Sequence, residues 1–175
     1  MTSSHWTAPA IERRPEPEIA PERAGLEDWL DYHRDTLLMK CAGLTIEQLR
    51  ERAVPPSSLS LLGLVRHLAE VERSWFRRRL AGQDAGHIYC TDDKPDGDFD
   101  DVDTADPEAD FATYRVEVEQ ARGVAADRRL EDAFVGQEGF SRDLRWIYVH
   151  MIEEYARHNG HADLLRERID GSTGE

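Results

Sequence analysis

Toward its C-terminal end the chain reads WIYVHMIEEYARHNGHADLLRERI, with His150, Glu154, His158 and His161 inside an otherwise apolar helical pattern. Imidazole and carboxylate are the side chains that hold borderline divalent metals and move protons near neutral pH. On a helical wheel at about 100° per residue, with His150 at zero, His161 falls at about 20°, Glu154 at about 40° and His158 at about 80°. Ile147 and Leu165 both fall at about 60° on the same wheel. The four polar residues therefore share the apolar stripe instead of the solvent face. A carboxylate buried without a partner would rather protonate, so this placement requires a cation, a hydrogen-bond network or a metal.

Glu154 and His158, spaced i and i+4, project side by side and can share one ion, as the two histidines of HExxH do. A divalent metal with nitrogen and oxygen ligands wants at least a third protein ligand. His5 lies in an N-terminal arm, His87 in a loop, and His33 on the charged side of the first helix beside Arg34. His67 borders the apolar stripe of another long helix, with Leu64, Leu68 and Val71. His67, Glu154 and His158 are thus the economical ligand set. The competing arrangement is a buried Glu/His/Arg network in which Arg66, Arg145 or Arg157 balances the charge.

Other residues offer less. Arg77, Arg78, Arg145 and Arg157 could meet an anionic ligand, but an exposed helical face would carry the same residues. Trp75 and Trp146 read as core. Cys41, at a helix end among apolar residues, reads as a packed thiol. In DDKPDGDFDDVD, placing Gly97 sixth in a calcium loop puts Lys94 at the third ligand position and Asp103 where the final glutamate belongs. Both spoil the site, and a solvated acidic loop is the expectation.

The elements that must position these residues are helical. Residues 1–22 are rich in proline and charge and read as a flexible arm, although Trp6 and Ile11 could dock. Residues 23–171 read as one domain and 172–175 as a tail. The first long helix runs over about 25–42, followed by a short one in which Thr45 and Gln48 form a capping box. After VPPSS, Ser57 or Ser58 can cap a strong amphipathic helix that stops at Gly82. Residues from 83 to about 107 form a long acidic loop. A third long helix follows from about Asp110 to Arg129, VGQEGFS makes a turn, and Ser141 opens the last helix. Nothing alternates with period two for long enough to build a sheet. The expected fold is an all-α, up-down four-helix bundle with the acidic loop between the second and third long helices; bundles place their sites between facing helices.

Composition narrows the function classes. The 175 residues carry a formal net charge of −14, which argues against sequence-independent binding to nucleic acid or an anionic membrane. Two distant cysteines make no disulfide framework, and no apolar run is long enough for a membrane span or a secretion signal. The expected location is the cytoplasm. Lys40 and Lys94 are the only lysines, a usage associated with high-GC genomes.

The stretches KCAGLTIEQLRERAVPPSSLSLLGLVRHLAEVERSWFRR and LRWIYVHMIEEYARHNGHADLLRERIDG resemble the DinB-like superfamily, and within it the actinobacterial mini-circle type. The resemblance covers about residues 25–171 and is weakest from 83 to 130. It implies a DinB/YfiT-type bundle with a divalent metal held by one histidine of the second long helix and an HxxxH pair of the last. His67 matches the first ligand and His158 the last. Glu154 stands where most relatives have the other histidine, a variant similar to mycothiol-dependent maleylpyruvate isomerase. A carboxylate there favours zinc, with nickel or iron as the other metals such a site takes. The implied chemistry is a transferase or isomerase that uses a low-molecular-weight thiol such as mycothiol on a small electrophile. His161 is then the nearest catalytic base, or a further ligand, and His150 a neighbour supporting Glu154. The implied partners are the thiol and the electrophile, with a homodimer compatible with the apolar faces. The alternative is a non-catalytic, stress-associated bundle that binds metal or a small ligand.

Overall fold

The structure, a computed structural model, describes residues 6–136 and 139–174. His5, the centre of the VGQEGFS turn and Glu175 lie outside the described residues. The chain is mostly helical. Four long helices dominate: α1 (Glu22–Cys41), α3 (Leu61–Glu72), α5 (Pro107–Ala126) and α6 (Leu144–Asp170). α3 runs on as a π-helix over Arg73–Leu80. Short helices α2 (Ile46–Arg50) and α4 (Gly97–Asp100) lie between them, and a 3₁₀ turn follows α4 at Asp101–Asp103. Against expectation there is one small antiparallel ribbon, β1 (Ala133–Val135) on β2 (Ser141–Asp143), with Ala133 opposite Asp143. Three residues per strand are too few for periodicity to announce.

Local chemistry sets the boundaries. Thr45 and Gln48 close the capping box on α2. α3 is capped by Ser60, whose hydroxyl accepts from Gly63 N at 3.1 Å, and not by Ser57 or Ser58. Asp143, two residues after the expected Ser141, caps α6 by accepting from Trp146 N at 2.8 Å. Asp106 caps α5, with Pro107 in the first turn, where a missing N–H costs nothing.

α1 lies along α6 and α3 along α5, around a core that includes Leu30, Leu37, Leu64, Leu68, Met151 and Tyr155. One polar network runs through it. Arg34 of α1 forms a two-pronged pair with Glu72 of α3 at 2.7 and 2.8 Å. Tyr155 of α6 donates to Glu72 at 2.8 Å and lies 3.0 Å from the hydroxyl of Tyr114 on α5. All four long helices thus meet at one buried carboxylate. The fixed point adjoins Glu154 in sequence, so it also sets how α6 faces α3 where the candidate ligands sit.

The N-terminal segment lies on the body from Trp6 onward. Thr7 bridges Thr45, Ala8 is buried, and Trp6 packs edge-on against Phe111. Arg14 adds ion pairs to Asp31 and Asp35 at 2.6 Å each. No helix among the described residues is long and apolar enough to cross a membrane.

The acidic segment departs most from expectation. It is folded onto α3, with Gly97, Asp98, Val102 and Asp110 buried. Phe99 lies flat on the bare backbone of Gly63; a Cβ there would stand 2.6 Å from its ring. Gly97 passes so close to the Tyr89 carbonyl that a Cβ would sit 2.4 Å away. Two glycines therefore permit the close approach that brings a carboxylate of this segment to His67.

Candidate metal centre

His67 of α3 faces Glu154 and His158 of α6, and one ligand atom from each lies within 4.8 Å of the others. His67 Nε2 is 3.3 Å and His158 Nε2 3.4 Å from the same oxygen, Glu154 Oε1. The two imidazole rings are 4.7 Å apart. All three side chains are partly buried, at 24%, 17% and 13% exposure for His67, Glu154 and His158, so they are not sealed in the core. The wheel gave the right face of α6 but overstated the depth.

Each imidazole is also held from behind. Asp98 Oδ2 lies 2.8 Å from His67 Nδ1, an arrangement that keeps a proton on Nδ1 and turns Nε2 toward the cluster. His161 Nδ1 lies 3.4 Å from His158 Nδ1. Burial alone would lower the His67 pKa, but hydrogen bonds to Asp98 and Glu154 outweigh it and raise the value to about 9. The hydrogen bond with His158, then that with His67, holds Glu154 well below the usual carboxylate range. Burial first, then His158 and Arg157, lowers the pKa of His161.

Asp98 is the residue that sequence reasoning missed. Its backbone carbonyl accepts from Arg66 Nε at 3.0 Å, and Arg66 also bonds the Gly97 carbonyl, pairs with Asp110 at 3.1 Å and stacks on Tyr89. Glu70 tethers the same segment by accepting from Ile88 N and Tyr89 N at 2.7 and 3.0 Å. A signal was present: an aromatic inside GDFDD must bury its ring, and it carries a neighbouring carboxylate with it. Elsewhere in that segment Lys94 pairs with Asp101, and among the described residues the only metal-type cluster is the His67 set.

The arginines nominated as balancing cations are engaged elsewhere. Arg66 serves Asp98 and Asp110, Arg145 pairs with Glu22 and Glu131, and Arg157 with Glu153. As anion binders Arg77 and Arg78 are likewise committed, to Glu117 and to the His87 ring. His33 stacks near Trp29, and His87 bonds Glu70; neither reaches the cluster. His150 is not hydrogen-bonded to Glu154 and meets it only as a nearby charge. Its ring stacks on Trp146 at 4.9 Å and 13°, with Trp75 at 4.7 Å. Both tryptophans, expected in the core, reach the surface: Trp75 is partly buried and Trp146 is 38% exposed.

A cleft of about 250 Å³ opens beside His67, walled by Val71, Trp75, Cys90 and Phe99. A cavity of about 350 Å³ elsewhere is lined by Arg23, Glu27, Arg34 and Tyr148 and contains none of the cluster. Its charged groups already partner one another or the backbone.

Neither cysteine is disposed to act as a nucleophile. Burial pushes the Cys41 thiol up to about 12. Burial, reinforced by the Asp98 charge, takes Cys90 to about 11. Only the thiolate reacts, so a raised pKa leaves little reactive sulfur at neutral pH. Alkylation of Cys90 by iodoacetamide should be at least about tenfold slower than that of a free thiol at pH 8 and should still be climbing at pH 10. Mass spectrometry of the labelled protein reads this directly, and rapid labelling at pH 7 would contradict it.

A family model described as mycothiol-S-transferase matches residues 25–171. No curated protein and no solved structure matches the chain. The matched span takes in every helix that carries the cluster, and on it the chain belongs to the mycothiol-S-transferase family.

Proposed function

We propose that the chain is a divalent-metal-dependent S-transferase that joins the sulfur of a low-molecular-weight thiol, mycothiol, to a small electrophile. The observation that carries this reading is the convergence of His67, Glu154 and His158 on one point, with Asp98 fixing the His67 ring. Two imidazole nitrogens and one carboxylate oxygen are a competent set for zinc that leaves a coordination position for an outside ligand. A bound ion would supply the positive charge that lowers the pKa of a thiol placed at that position.

The remaining work falls to the chain's own residues. In this reading α3 and α6 of a DinB-type four-helix bundle hold the three ligands on facing sides. Asp98 keeps the His67 proton on Nδ1. His161, beside His158, is the nearest base for the thiol proton. The new bond is between thiol sulfur and the electrophilic carbon, and the leaving group departs with that carbon's former bonding pair. The cleft between Phe99 and Trp75 receives the electrophile. Cys41 and Cys90 have no part, because the sulfur comes from the co-substrate.

Mycothiol consumption with a panel of alkylating electrophiles tests the assignment. Glu154→Gln should reduce the rate by more than about 100-fold, since it removes the charged ligand and not merely a group supporting one. A metal-bound wild type that consumes no thiol with any electrophile would instead favour a binding protein.

A further inference from the structure

Along α3 and α6 the cluster runs on into an aromatic patch. Trp75 stands eight residues after His67, and Trp146 eight before Glu154, so the two helices carry the patch in opposite chain directions to the same side of the cluster. Eight residues of helix place it roughly 12 Å from the ligands. Trp75 and Trp146 are 5.1 Å apart, and His150 packs against both.

Two arginines lie on these rings. Arg79 sits over Trp75 at 4.5 Å; Arg142 sits over Trp146 at 4.5 Å and lies 5.6 Å from Trp75. Arg79 also bonds Ser74. Arg142 pairs with no carboxylate among the described residues, in a chain that holds 36 acidic residues and only 22 basic ones. The contrast with Arg66, Arg77, Arg145 and Arg157, each tied to an acid, is the telling point. Stacking on an indole fixes the plane of a guanidinium and leaves its N–H edge available, the geometry that a carboxylate fits with two oxygens.

The cleft beside His67 carries charge of both signs. Glu70, Asp96 and Asp98 line it together with Arg79.

We propose that Arg142 seats a carboxylate of the electrophilic substrate on the Trp75/Trp146 patch, so that the reactive carbon reaches the metal centre roughly 12 Å away along the helices. The substrate class is an electrophile with a carboxylate at its far end. This rests on the S-transferase reading for the identity of the bound molecule, although the anion seat itself touches none of the three ligands.

The test uses the full-length, metal-loaded protein and two probes of equal shape, benzoate and benzamide, followed by the indole N–H signals of Trp75 and Trp146 in ¹⁵N-resolved spectra. Benzoate should half-saturate those shifts at a concentration about tenfold lower than benzamide, the margin that a charge-assisted hydrogen bond provides. Arg142→Gln should abolish the difference while leaving the benzamide response and the metal content as they were. Equal response to both probes in the wild type would overturn the seat, as would a preference unchanged in Arg142→Gln. The wild-type comparison decides even if that variant does not fold. Metal content and thiol consumption are read on the same samples. A missing carboxylate preference in a metal-bound, thiol-consuming protein overturns the seat alone. A preference that persists in a metal-free, inert protein overturns the S-transferase reading alone.

Discussion

Glu72→Ala should lower stability by about 3 kcal/mol, the low end of what breaking one partner of a buried ion pair costs. Glu72 is fully buried and Arg34 is 6% exposed, so the substitution strands a guanidinium in the core and removes the acceptor of Tyr155. Arg34 keeps Asp31 at 2.9 Å, which is why the low end applies. For a chain of this size the midpoint of thermal unfolding should fall by roughly 6–12 °C. Removing both charges together, as Arg34→Met with Glu72→Leu, should recover most of that loss, because an apolar replacement leaves no unpaired charge. Calorimetry of the single and double variants checks both. If the double variant is no more stable than Glu72→Ala, the stranded charge is not the cause.

His158→Ala should leave the chain folded and empty of metal, since the side chain is partly exposed and its removal opens no sealed cavity. Asp98→Asn should be milder, a loss of about 10–100-fold in metal affinity, the range measured when the group behind a ligating histidine is changed. The amide oxygen can still accept from His67 Nδ1, but without the negative charge that strengthens the ligand. Competition with a chromogenic chelator gives both numbers. If Asp98→Asn binds as tightly as the wild type, the contact at 2.8 Å carries no weight in holding His67.

What could be read from the sequence was what helical periodicity encodes. Spacing on α6 placed Glu154 and His158 side by side and on the same face as Met151, and the structure has them there. The capping box at Thr45 is equally local, and it is present. Contacts across long sequence separations were not legible. Asp98 reaches His67 across 31 residues only because Gly63 and Gly97 lack side chains and Phe99 needs burial. The meeting of Arg34, Glu72, Tyr114 and Tyr155 depends on how four helices rotate against one another, which no single wheel contains. Trp146, expected in the core, was misplaced for a related reason, whereas Trp75 does pack against that core. An indole is apolar enough to suggest core, but stacked guanidinium groups can cover its face instead.

The arginines illustrate the same limit. From sequence, Arg145 and Arg157 stood out as candidates for an anionic ligand, and Arg142 did not. Only the fold shows that Glu22, Glu131 and Glu153 occupy the first two. In an acidic chain, what distinguishes a binding cation is the partner it lacks, and that is a property of three-dimensional placement.

The central claim, that His67, Glu154 and His158 together hold one divalent ion, is tested most directly by metal content. Protein purified without a metal-affinity tag should show close to one zinc, nickel or iron per chain by elemental analysis, and His67→Ala should show essentially none with its helical circular dichroism retained. A folded wild type that remains metal-free after exposure to excess zinc would contradict the account.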